Sequence, residues 1–180
     1  MRQMQSGMWQ NMSAQIKASP RLITFIVIMS AVANALGFLS VSAGMFRVHF
    51  IQIPIILTGL ALGPLAGGFV GFTGAIVMAF MLITPNPYLL FGNAILGGLT
   101  GLFYRYLRRV SGIPLIPQML AVLGAYTVQM PYVYVTDVYL MSMPVPVVLM
   151  IMLTLLIEDV ISVLIVHPIL YRVKIPEILR

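Results

Sequence analysis

The sequence lacks cysteine and contains few charged residues. Only 8% of its 180 residues are charged, ten of them basic and four acidic, and two residues are histidine. The absence of cysteine excludes disulfides, thiolate metal sites and cysteine nucleophiles. With so few histidines and carboxylates, a zinc or two-metal centre is not expected either. The sequence therefore predicts no metal site and no bound cofactor.

Sequence motifs for enzymatic chemistry are also missing. The chain has two lysines, Lys17 and Lys174, and neither completes a G-x-x-x-x-G-K-[ST] phosphate-binding loop. There is no H-E-x-x-H, no G-x-S-x-G and no convincing pair of nucleophile and base. We therefore predict that the chain is not an enzyme and that it does not hydrolyse ATP through a P-loop.

Apolar residues are abundant instead. They make up 61% of the chain, and the mean hydropathy is +1.04. A globule with so few charges would expose apolar patches larger than soluble monomers tolerate. No alternating pattern indicates a barrel, and backbone groups in lipid are most readily paired within helices. The sequence predicts an all-α integral membrane protein.

The charged residues delimit long uncharged stretches, and a span needs about 20 apolar residues. Gly63-Pro64 and Asn86-Pro87 divide the longest stretch, because proline is tolerated at the first helical position, and Asn86 is placed to cap free amides. Six transmembrane helices are predicted, at about Leu22 to Phe38, Phe50 to Leu62, Pro64 to Leu82, Pro87 to Leu107, Ile116 to Tyr139 and Pro144 to Tyr171. The second is short, so we expect neighbours to shield it or its span to be incomplete.

The basic residues predict the orientation of these helices. With six spans and both termini cytoplasmic, nine of the ten cations lie inside and Arg47 alone lies outside. The inside set is Arg2, Lys17, Arg21, Arg105, Arg108, Arg109, Arg172, Lys174 and Arg180. Topology thus accounts for the net charge of +6, and nucleic-acid binding is not expected.

The chain divides into a cytoplasmic segment 1–21, a six-helix membrane domain 22–171 and a cytoplasmic tail 172–180. Met4, Met8, Met12 and Ile16 recur every four residues, as in an interfacial helix; a disordered segment is the alternative. The first helix could instead be a signal peptide, because Val41-Ser42-Ala43 resembles a cleavage site, although its apolar run is longer than usual.

Polar residues inside the spans are costly unless they are paired or face a cavity. Counted along their helices, Asn34, Asn93 and Gln129 lie at similar depths in the outer third of the membrane. They either form interhelical hydrogen bonds or line a common pocket that opens outward. We expect the pocket, and we expect it to bind a small molecule.

Further candidates surround this predicted pocket. On the fifth helix, Tyr126, Tyr134 and Asp137 fall within an arc of roughly 140° that includes Gln129, provided Pro131 does not break the helix. The outer loop Leu39 to His49 supplies Arg47 and His49 above them. Glu158 and Asp159 lie near the middle of the sixth helix, so at least one must face protein; Glu158 is the candidate for the pocket floor. The alternatives are structural: Asp137 in the outer interface and Arg47 on lipid head groups.

Two segments carry a family resemblance. RVHFIQIPIILTGLALGPLAGGFVGFTGA, Arg47 to Ala75, and NPYLLFGNAILGGLTGLFYR, Asn86 to Arg105, resemble S components of energy-coupling factor (ECF) transporters. The size, the six predicted helices and the cytoplasmic basic residues agree over nearly the whole chain.

The resemblance implies a high-affinity binding subunit for a vitamin or related micronutrient in a prokaryotic cell membrane. It implies work with a transmembrane T component and two ATP-binding-cassette ATPases. In that family an A-x-x-x-A pattern on the first helix contacts the T component, and Ala31 and Ala35 match it. The family's substrate region corresponds to Arg47, His49, Asn93, Gln129 and Asp137, and by depth less clearly to Glu158.

The residues do not select one vitamin: riboflavin, thiamine, biotin, folate, pantothenate and queuosine precursors stay open. Asp137 and Glu158 favour a cationic or hydrogen-donating part, whereas Arg47 favours a carboxylate or phosphate. Two other functions are also compatible with the chain. One is a non-transporting scaffold similar to the rod-shape protein MreD, and the other is a stand-alone secondary transporter, whose usual inverted repeats are not apparent.

Overall fold

The structure is a computed structural model and describes residues 20–43, 46–81 and 85–173. Seven α-helices, one π-helical turn and one two-stranded hairpin make up this part of the chain. In order they are α1 Pro20–Phe38, β1 Ser40–Ala43, β2 Phe46–His49, α2 Gln52–Leu62, α3 Pro64–Gly74, α4 Ile76–Met81, α5 Tyr88–Leu107, α6 Leu115–Val135, the π-turn Thr136–Leu140 and α7 Val145–Val173.

These helices correspond to the six that the sequence predicts, with two refinements. The third predicted helix is divided into α3 and α4 at Ala75, whose backbone (φ −94°, ψ −1°) lies at the edge of the helical region. The fifth continues unbroken through Pro131 as α6 and then widens into the π-turn. The prediction that Pro131 does not break its helix is confirmed.

The outer loop is more ordered than the sequence suggested. We predicted a loop from Leu39 to His49, but most of this segment forms an antiparallel hairpin in which Ser40 pairs with His49 and Ala43 with Phe46. The all-α class still describes the fold, and the hairpin replaces the loop that was predicted between the first two helices. Pairing of the two strands satisfies the backbone groups that a loop over an apolar bundle would leave open.

Glycines bring α3 and α5 into backbone contact. A methyl group added at Gly67 would collide with the carbonyl of Gly97, and one added at Gly71 would collide with the carbonyl of Asn93. Gly97 in turn has no room because Gly67 faces it. The glycine faces of α3 and α5 thus pack against each other, as membrane helices with small residues do.

The short helix α2 lies in the centre of the bundle. Eight of its eleven residues are buried, and its side chains enter both apolar clusters of the core. Ile55 packs with Val70 and Leu90, whereas Ile56 packs with Val122 and Val163. At 1.5 Å per residue α2 is about 16 Å long, too short to cross the hydrocarbon. Its neighbours shield it, as expected.

The outer surface of the bundle is apolar. Large side chains such as Leu65, Phe69 and Tyr139 are exposed for more than half of their surface. Among the described residues two helices, Pro20–Phe38 and Val145–Arg172, are long and apolar enough to cross a membrane. The expected interfacial helix in residues 1–21 and most of the expected tail 172–180 lie outside the described residues, and α7 itself continues to Val173.

The contact between α3 and α5 yields a test with a matched control. Gly67→Ala should destabilise the protein by about 1–3 kcal/mol, because the added methyl group has only backbone to displace. Gly68→Ala should be nearly neutral, since its nearest new neighbour would be 3.5 Å away. Thermal unfolding in detergent measures both variants. Equal midpoints for the two would contradict the close approach.

Candidate functional site

A cavity of about 350 Å³ opens at the end of the bundle that carries the hairpin. Six segments meet there: the end of β2, the start of α2, α4, the start of α5, the end of α6 with its π-turn, and α7 with the residues just before it. Cavities of this size hold small molecules. These ends of the elements therefore lie on the same side of the bundle. Arg21, Arg105 and Arg172 lie at the opposite ends of α1, α5 and α7, away from the cavity.

Glu158 connects the cavity to the hairpin. It lies 13 residues after the first residue of α7, at a depth of about 20 Å along the helix, and is 3% exposed. Its Oε1 accepts a hydrogen bond of 2.6 Å from the backbone N–H of His49, the last residue of β2. The carboxylate thus ties the hairpin to α7 while it lines the cavity.

Asp137 lines the cavity from the π-turn. Its Oδ1 accepts a hydrogen bond of 2.9 Å from Nδ2 of Asn86, which also lines the cavity. The oxygen of the same amide accepts from the backbone N–H of Tyr88 at the start of α5. Asn86 therefore caps free amides as predicted, and it also links α5 to the π-turn. In a π-helical turn the hydrogen bonds run from residue i to residue i+5, one residue more than in an α-helix, and such turns are frequent at functional sites.

Gln129 and Tyr132 form the wall contributed by α6. Gln129 Nε2 donates to the carbonyl of Gly92 at 3.0 Å, and the Tyr132 hydroxyl donates to the carbonyl of Tyr88 at 3.0 Å. Both bonds cross to α5. These two polar side chains therefore fix the distance between the helices that flank the cavity.

Gln52, at the first position of α2, lines the cavity from the opposite side. It is 2% exposed, and no hydrogen bond reaches its buried Oε1. A buried amide oxygen without a partner is costly, so a donor from a ligand or water would be bound favourably there. The sequence analysis did not select Gln52.

Most of the remaining lining is apolar and polarizable. Methionines from three segments, Met78, Met143 and Met150, face the cavity with Tyr88 and Leu155. Thioethers and aromatic rings adapt to flat aromatic surfaces. The cavity thus combines an adaptable apolar wall with a few fixed polar groups.

Four predicted site residues line this cavity, namely His49, Gln129, Asp137 and Glu158. Four others lie outside it. Asn34 bridges α1 to the third predicted helix: its amide donates to the carbonyls of Ser30 and Thr73, and its oxygen accepts from the N–H of Val77. The Asn34 side chain therefore links helices through hydrogen bonds, which is the structural alternative that the sequence left open.

The other three, Asn93, Tyr126 and Tyr134, are also not among the residues that line the cavity. Asn93 sits at the glycine contact with α3 and donates to the carbonyl of Leu89. Tyr126 donates to the carbonyl of Met152 on α7. Tyr134 packs edge-on against Tyr139; at 100° per residue it is about 140° around α6 from Gln129.

Three further residues complete the comparison with the sequence prediction. Arg47 lies in β2, and its side chain is outside the described part of the structure. Ala31 and Ala35 are both exposed on α1, facing away from the bundle. Within the described residues no group of histidines and carboxylates is arranged to hold a metal ion.

Some residues that the sequence analysis missed had a detectable signal. Tyr132 and Thr136 follow Gln129 by three and seven residues, which places all three on one helix face. Asn86 was selected only as a helix cap, although its side-chain amide has a donor nitrogen as well as the acceptor oxygen that caps the helix. Gln52 gave no comparable signal, because its neighbours are apolar and its helix is short.

Comparisons with known proteins agree with this architecture. Residues 17–175 match the family described as ECF-type riboflavin transporter, S component. A solved chain described as the S component of a bacterial ECF transporter superposes with a TM-score of 0.66 at 22% identity, covering 86% of this chain and 95% of that chain. That likeness shows the shared fold. No significant match is found among curated proteins.

The family match spans all of the described structure, including every element that lines the cavity. It confirms the resemblance that the sequence carried, and the scaffold and secondary-transporter alternatives are not favoured by it. The chain belongs to the family of S components of ECF-type riboflavin transporters.

Proposed function

We propose that the chain is the membrane-embedded subunit that binds riboflavin from outside the cell with high affinity and works with separate energising proteins. The observation that carries this proposal is the cavity itself, which combines a methionine and tyrosine wall with amide and carboxylate groups at one end of the bundle. A flat ring system suits the wall, and hydroxyl or N–H groups suit the polar positions.

The orientation supports uptake from outside. The positive-inside rule places the arginines of the described helices on the cytoplasmic side. The cavity is at the opposite ends of these helices, so in this orientation it faces outward. The hairpin at this end is joined to α7 by the hydrogen bond from the His49 N–H to Glu158.

The energy source is proposed to be separate proteins, a transmembrane T component and two ATPases, in a prokaryotic cell membrane that the chain crosses several times. The sequence has no P-loop of its own. The exposed small residues Ala31 and Ala35 leave a flat strip on α1, where another helix can approach closely. We propose this strip as the contact with the T component.

Filling the cavity tests the binding role directly. Leu155 lines the cavity, whereas Leu153 on the same helix is 49% exposed on the outer surface. Leu155→Trp should weaken riboflavin binding by about tenfold or more, because the larger ring occupies ligand space. Leu153→Trp should bind as the unaltered protein does. Quenching of flavin fluorescence in a titration of the purified chain measures both, and unchanged affinity in Leu155→Trp would place the ligand elsewhere.

The docking strip has its own test. Ala31→Leu and Ala35→Leu should leave riboflavin binding intact, because both side chains point away from the cavity. Uptake by the assembled transporter should fall severely, since the added bulk keeps the partner helix away. Val128→Leu, at an exposed position on α6, is the control. Normal uptake by both alanine variants would remove the strip from the proposal.

A further inference from the structure

Three arginines are concentrated at the end of α5 that lies away from the cavity. Arg105 is in the last turn of α5, and Arg108 and Arg109 follow it closely in the chain. All three residues are exposed. The path along α5 from Tyr88, which lines the cavity, to Arg105 is about 25 Å at 1.5 Å per residue. The arginine cluster is therefore a separate feature from the ligand cavity.

The cluster has a concave shape. Arg105, Arg108 and Arg109 line a shallow hollow of about 250 Å³ together with Tyr106, and none of the described carboxylates is in its lining. A guanidinium presents N–H donors in a fixed fork that matches the oxygens of a phosphate group. Several guanidiniums around one hollow can therefore hold a phosphate through both charge and hydrogen bonds.

The surroundings of the hollow are apolar. Tyr106 is 73% exposed, Val110 64% and Ile113 60%. Tyrosine is enriched where a membrane protein passes from hydrocarbon to water, and cations there lie at the level of the lipid head groups. A free phosphate ion gains nothing from an apolar border. A phosphate that carries acyl chains uses both the arginines and the apolar side chains beside them.

We propose that Arg105, Arg108 and Arg109 form a binding site for the phosphate headgroup of an anionic phospholipid, whose acyl chains lie along Val110 and Ile113. In the orientation given by the positive-inside rule this site is in the cytoplasmic leaflet, where basic pockets of membrane proteins bind anionic head groups. The inference goes beyond the proposed function, and it does not depend on what the cavity binds.

Phosphatidylglycerol and phosphatidylcholine with identical acyl chains are the probes. Both contain a phosphate, but the choline cation neutralises the second headgroup. Native mass spectrometry of the purified full chain, titrated with each lipid, should show phosphatidylglycerol bound about tenfold more tightly, because the attraction to several arginines near a membrane surface accumulates. Equal affinities for the two lipids would overturn the inference.

Inorganic phosphate distinguishes a lipid site from a site for a soluble anion. Added at the same concentration as phosphatidylglycerol, it should not displace the lipid, because it has no acyl chains to cover Val110 and Ile113. Displacement of the lipid by inorganic phosphate would assign the arginines to a soluble anion and contradict the proposal.

Two double variants that remove the same number of charges separate the cluster from the general positive charge of this end. Arg105→Gln with Arg108→Gln should reduce the preference for phosphatidylglycerol several-fold. Arg21→Gln with Arg172→Gln is the control: these exposed arginines lie at the same end of the bundle, on α1 and α7. It should keep the preference.

Both double variants should unfold at the temperature of the unaltered chain in lipid-free detergent, since all four substituted residues are exposed. An equal loss of lipid preference in the two variants would show that overall charge, and not this hollow, attracts the lipid. That result would also overturn the inference.

Discussion

A polar group buried in this apolar bundle is costly without a partner, because little water can reach it. Asn34 meets this requirement by joining α1 to α3 and α4, and Gln129 and Tyr132 meet it by joining α6 to α5. The same requirement connects Asp137 with Asn86. These polar side chains therefore serve as links between helices.

The glycine contact sets where the bundle is closed and where it is open. At Gly97 and Gly101, α5 lies against α3 and α2 with no space for even a methyl group. Before Asn93, the first turn of α5 borders the cavity with Tyr88, Leu89 and Gly92. The helix α5 therefore packs closely against α2 and α3 in its later turns and forms a wall of the cavity in its first turns. A site built on such close packing is preorganised, which lowers the cost of binding.

The sequence predicted the helices well because the signals that define them are local. Charged residues mark the ends of spans, and Gly63-Pro64 and Asn86-Pro87 mark the breaks between α2 and α3 and before α5. The hairpin was missed because the pairing of Ser40 with His49 depends on what the segment covers. The division at Ala75 likewise has no proline or charge to mark it.

The depth of the polar residues along their helices could be predicted from the sequence, but the direction in which their side chains point could be predicted only in part. Counting residues placed Asn34, Asn93 and Gln129 at one level, yet the structure brings only Gln129 to the cavity. Depth follows from the helical rise, whereas the direction of a side chain depends on helix rotation and on partners in other segments. The carbonyls of Thr73 and Leu89 that engage Asn34 and Asn93 belong to the backbone, so no side-chain pattern announces them.

Family membership and the cavity together support the proposal that the cavity at the hairpin end of the bundle binds riboflavin. The most direct measurement is mass spectrometry of small molecules extracted from the chain after mild purification from cells supplied with riboflavin. If the proposal is correct, riboflavin is recovered in stoichiometric amount. A chain that is empty, and stays empty after incubation with riboflavin, would contradict the account.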